Sequence, residues 1–210
     1  MLLGALRPVR CKTPPVSSEE VFSRRLGQGV LLGAETVEQL RAGQSIHESA
    51  LRLRDYPAPE REIYFGLIVV IDALCEALEQ RSSATPADVL RMVKHVAVEN
   101  MGDASGTPAP AALISRSGND PSGLGEKVRE AEVLDAYELA LDAAALELTG
   151  GKGRNLLQDS TFPPAFIHGA LLIIVQRLAR ALERGSTATP TVVLNVLRDD
   201  VAARRRSLEL

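Results

Sequence analysis

Ala77-Leu-Glu-Gln-Arg-Ser-Ser-Ala-Thr-Pro-Ala-Asp-Val-Leu90 returns later in the chain as Ala181-Leu-Glu-Arg-Gly-Ser-Thr-Ala-Thr-Pro-Thr-Val-Val-Leu194. Nine of the fourteen positions are identical, at a constant offset of 104 residues. The offset holds upstream, where Pro59, Ile63, Leu67 and Leu74 fall on Pro163, Ile167, Leu171 and Leu178. Self-similarity at one fixed spacing is the mark of a duplicated supersecondary unit. The expected organisation is an N-terminal tail (1–16), one unit at 17–102, a linker at 103–121, a second unit at 122–206 and a short C-terminal tail (207–210). The linker assignment follows from its Gly, Pro, Ser and Ala content, which favours chain reversal and loose structure over packing.

Each unit reads as about four helices, giving an all-α fold in which the two copies pack with pseudo-twofold symmetry. Ser17-x-x-Glu20 and Ser45-x-x-Glu48 are capping-box patterns, in which a hydroxyl and a carboxylate satisfy free backbone N–H groups at a helix start. The third helix carries Ile63, Leu67, Ile71, Leu74 and Leu78, echoed by Ile167, Leu171, Val175, Leu178 and Leu182. Spacings of three and four place them on one helical face. Thr85-Pro86 and Thr189-Pro190 open the fourth helix, Thr as N-cap and Pro at the first position, where its missing N–H would be unpaired anyway. Val89, Met92, Val93 and Val96, with Val193, Val196, Leu197 and Val201, are the expected buried face of the fourth helices.

Composition excludes several classes. Aromatics are 3% of the 210 residues and Trp is absent, leaving few platforms for stacking bases or sugars. The net charge of −3 disfavours a general phosphate-binding surface, so nucleic acid is not the expected partner. Arg91 and Lys94 on the fourth helix have Asp199 and Asp200 on its counterpart, which phosphates would repel. Cys11 and Cys75, the two cysteines, make neither a disulfide framework nor a zinc quartet. His47, His95 and His168 lack ligand spacing, and Glu132, Asp135, Glu138 and Asp142 read as an acidic solvent face. Gly150-Gly-Lys-Gly-Arg154 lacks the Ser or Thr that follows the lysine of a phosphate loop and reads as a helix C-cap. No catalytic residue, metal or cofactor is expected. The apolar runs at Ile63–Ile71 and Gly169–Val175 are short for a membrane span, so the expected location is the cytoplasm.

One pattern is functionally suggestive. The third helices bear Tyr64, Asp72, Glu76 and Gln80 in the first unit, and His168, Gln176, Arg180 and Arg184 at the equivalent positions of the second. Such a stripe is ordinarily a solvated face. Its reversed charge also fits two third helices side by side, with Asp72 and Glu76 across from Arg177 and Arg180. A ligand site at that junction would use Tyr64, Asp72, His168 and Gln176. The expected function is a non-enzymatic interaction module, regulatory or adaptor, that binds a protein partner or its own copy between helices. A small-ligand protein or enzyme using the junction, and a DNA-binding regulator, are the alternatives.

Overall fold

A computed structural model describes residues 18–101 and 123–209. Ser17, Cys11, the tail at 1–16 and the linker at 103–121 lie outside them. Eight helices account for the described residues, with no strand among them. They are α1 (Ser18–Arg41), α2 (Ile46–Arg54), α3 (Glu60–Glu79), α4 (Pro86–Met101), α5 (Gly123–Leu148), α6 (Gly153–Gln158), α7 (Pro164–Glu183) and α8 (Pro190–Glu209). Residues 207–209, expected as tail, continue α8.

Local chemistry sets these boundaries. Gly43 and Gly150 take positive φ (105° and 77°) after α1 and α5, and Gln44 and Gly151 donate back to the Gln39 and Leu146 carbonyls. These bonds satisfy carbonyls that each helix end would leave open. The glycine-rich run at 150–154 is therefore a helix-to-helix turn. Ser45 and Glu48 form the complete capping box of α2. Thr85 and Asp88 exchange hydrogen bonds at the start of α4, and the Thr189 hydroxyl accepts from Val192 N–H at the start of α8. The αL position after α3 and α7 is held by Arg81 (φ 48°) and Gly185 (φ 59°).

The centre is the α3–α7 pair. Ile63, Leu67, Ile71, Leu74, Ile167, Leu171, Val175 and Leu178 are all buried, within one apolar cluster drawn from both halves of the chain. α1 packs on α3 and α4, and α5 packs on α7 and α8. The short helices cross over: α2 has its main contacts with α7, and α6 bridges to α3 as well as packing on α5. The halves thus share a core. α7 has the length and mean hydropathy (1.5) of a membrane span, yet more than half of that window is buried inside the fold.

The α1–α3 crossing is closer than its counterpart. A Cβ at Gly66 would collide with the Gly29 carbonyl, and one at Gly33 would lie 3.0 Å from the Gly66 carbonyl carbon. Glycine is required there because two backbones occupy the space of a side chain. α5 and α7 bury Ala136, Ala140 and Ala170 at the corresponding places. The burial pattern of α1 maps onto α5 at an offset of 107, not 104. Both helices end and turn in that register, at Arg41 and Gly43 and at Leu148 and Gly150, and the spacing of 104 returns at α7 because α6, at 6 residues, is three shorter than the 9-residue α2.

Candidate functional site

α4 does not bury the face expected of it. Val89, Leu90, Val93 and Ala97 are buried, whereas Met92 and Val96 are 54% and 48% exposed, and Val196 of α8 is exposed too. Met92 and Val96 sit about 100° around the helix from Val93 and Ala97, so they form the wall of an open groove. Leu26, Gly27 and Val30 of α1, Phe65 and Val69 of α3, and Val93 and Ala97 of α4 complete a space of about 470 Å³. Gly27 lets α1 approach the end of α4, since a Cβ there would lie 2.5 Å from Met101 Cγ. The Arg154 guanidinium, from α6, lies 5.5 Å from the Phe65 ring centroid at one edge, a cation–π contact that keeps a charge beside an otherwise apolar surface.

The second half does not repeat this groove. Phe65 and Val96 correspond to Gly169 and Asp200, and Asp200 lies 3.9 Å from Arg177. Val30 corresponds to Tyr137 in the shifted register, a buried ring. Arg198 and Arg205 of α8 reach Asp142 (2.6 Å), Asp135 (2.5 Å) and Glu138 (3.0 Å) of α5. The acidic face of α5 is therefore occupied by arginines, and those arginines are not free for phosphate. His95 pairs with Glu99 at 3.2 Å on the surface of α4.

The junction residues separate into three places. Tyr64 and His168 meet, with ring centroids 5.2 Å apart and planes tilted by 56°, a geometry suited to aromatic contact. They are 3% and 0% exposed. Neither ring nitrogen of His168 completes a hydrogen bond, although the Ala50 backbone lies alongside. Burial holds its imidazole pKa down at about 4, weakly opposed by that backbone group. This contact is buried in the α3–α7 seam.

Asp72 and Gln176 do not join it. Steps of four residues drift about 40° each around a helix, so eight residues beyond the Tyr64–His168 contact they point to the flanks. Asp72 faces solvent beside Glu76, Glu79 and Glu147, and burial followed by those carboxylates raises its pKa. Gln176 lies with Arg180, Glu183, Leu40 and Arg41 in a separate cleft. The expected pairing of Asp72 and Glu76 with Arg177 and Arg180 is not formed among the described residues. Glu76 accepts from Gln80 instead, at 2.8 Å, and Arg177 turns to Asp200.

The groove escaped sequence reasoning because Met92 and Val96 are apolar and carry the right period. Periodicity marks an apolar face without saying whether a neighbour covers it. The available signal was a single charged residue 104 positions after Val96, Asp200, since Met92 is matched by the apolar Val196. No protein-family model matches the chain, and no curated protein or solved structure matches it either.

Proposed function

We propose that the chain is a non-enzymatic helical interaction module that accepts an apolar helix of a partner protein in the α1–α3–α4 groove. The observation that carries this reading is the pair of exposed apolar side chains, Met92 and Val96, over an apolar trough. A groove without converging polar groups gives a metabolite nothing to orient it. It does suit the apolar stripe of an amphipathic helix, and Met is an adaptable lining for such a stripe.

The same reading includes the architecture of a tandem repeat around a pseudo-twofold axis parallel to α3 and α7. Three features support it. Helix neighbours keep their identity when α1, α2, α3 and α4 are exchanged for α5, α6, α7 and α8. The equivalent residues Tyr64 and His168 touch. Further along, Leu78, Arg81 and Ser82 share a small cleft with their equivalents Leu182, Gly185 and Ser186. On this view duplication left two similar scaffolds, and only the first kept an open groove.

A photo-crosslinking amino acid placed at position 92 tests the proposal in cells. The expected result is a discrete protein adduct that disappears when Val96→Asp is added. The same cross-linker at exposed Val192 should not produce it. Equal labelling from both positions, or none from position 92, would end this reading.

A further inference from the structure

Two charged surfaces flank the α3–α7 pair. On one side the end of α1 meets α7, where Leu40, Arg41, Gln176, Ala179, Arg180 and Glu183 line a cleft of about 170 Å³. Arg41 holds Glu183 at 2.5 Å, which leaves Arg180 without an ion-pair partner among the described residues. Arg184, one turn on, is exposed as well. On the other side the end of α5 meets α3. There Glu147 approaches Asp72, with Glu76 and Glu79 on the following turns and Cys75 buried beneath. Asp72, Cys75, Glu76 and Glu79 stand 104 residues before Gln176, Ala179, Arg180 and Glu183. The two surfaces thus share a framework and differ in charge. One gathers four carboxylates, and among the described residues no cation relieves Asp72. The other presents guanidinium groups.

These charges do not meet within one molecule, because α1 and α5 lie on the two sides of the α3–α7 pair. They can meet between molecules. We infer that the Asp72–Glu76–Glu147 surface of one molecule docks on the Arg180–Arg184 cleft of a second copy, so that the chain associates head to tail. Each molecule carries one surface of each sign, so the contact is heterologous and generates rings or open chains rather than a closed pair. The groups are solvent-exposed, so the association is salt-sensitive. It involves neither Met92 nor Val96 and does not depend on what fills the groove.

Sedimentation of the whole protein at low and high salt, with charge-reversal variants, tests this. Wild type should form concentration-dependent oligomers at low salt that dissociate at about 0.5 M salt, where the Debye length falls to roughly 4 Å. Glu76→Arg cuts the acidic side from four net negative charges to two, and Arg180→Glu cancels the excess of Arg41, Arg180 and Arg184 over Glu183, so each variant alone should associate at least several-fold more weakly than wild type. An equimolar mixture of the two should recover oligomers. The double variant in one chain should recover part of the association, since the two altered positions again carry opposite charges. Both positions are exposed, and thermal melts would verify that the variants fold. Should a reversal fail to fold, Glu76→Gln and Arg180→Gln should still weaken association at least several-fold. A wild-type monomer at every salt and concentration would overturn the inference. So would oligomers that both reversals leave intact, or a mixture that stays monomeric.

Discussion

The α-carbon of Gly66 sits directly against the carbonyl group of Gly29, and a methyl group at Gly66 would overlap that oxygen. Gly66→Ala must therefore push α1 and α3 apart, opening the contacts of Val30, Leu67 and Val70 beside the crossing. We expect a loss of about 2–4 kcal/mol, at and above the usual range for overpacking, measured by urea denaturation. Ala170→Gly, the reverse change at the corresponding place on α7, should cost only about 0.5–1 kcal/mol through helix propensity. Comparable small costs at both sites would refute the close-crossing account.

His168 makes the fold acid-sensitive in a definite window. Its folded pKa, about 4, lies below the ordinary value of about 6.5. Above pH 6.5 the ring is neutral folded or unfolded and has no effect. Between about 6.5 and 4 only the unfolded chain takes up the proton, so stability falls, by on the order of 2–4 kcal/mol in all. Below that the contribution is constant. His168→Phe should keep the contact with Tyr64 and abolish this part of the slope. Parallel stability–pH curves for the two proteins would show that His168 titrates normally.

Arg81 occupies an αL conformation that Gly185 fills at the matching turn. Arg81→Gly should raise stability by up to about 1 kcal/mol, the strain relieved less the extra freedom given to the unfolded chain. Gly185→Arg should lower it. Melting temperatures moving in the same direction for both variants would contradict this.

Leu74 and Leu178 are fully buried, so truncation of either to Ala should cost about 2–5 kcal/mol. Met92→Ala should change stability by no more than about 0.5 kcal/mol, as for an exposed site. A large loss at Met92 would mean that the groove face supports the core.

Much of this was legible in the sequence. The Pro-bounded, four-spaced apolar runs located α3, α4, α7 and α8, and the glycine after α5 located the 150–154 turn. Two other features were not legible, for geometric reasons. Counting by fours put Tyr64 and Asp72 on one stripe, but the accumulated drift sends the first into the α3–α7 seam and the second to a flank. The constant offset of 104 also hid the three-residue shift in α5, because its small residues Ala136, Ala140 and Ala144 replace Gly29, Gly33 and Val37 without resembling them. Burial on α2 was hidden for another reason: Ser49 and Ala50 look solvent-facing until α7 is laid over them.

That last contact governs how the chain can be made. α2 is complete at Arg54, but the helix that covers it does not begin until Pro164. Ala50 and Leu53, buried in the finished fold, must therefore wait uncovered while the ribosome finishes α3, α4 and α5. An N-terminal half released early by truncation would present that surface to its neighbours, the condition under which incomplete chains aggregate. Proteolysis of ribosome-bound chains of increasing length should find α2 protected only after α7 has emerged, and protection arriving earlier would show that the first half folds unaided.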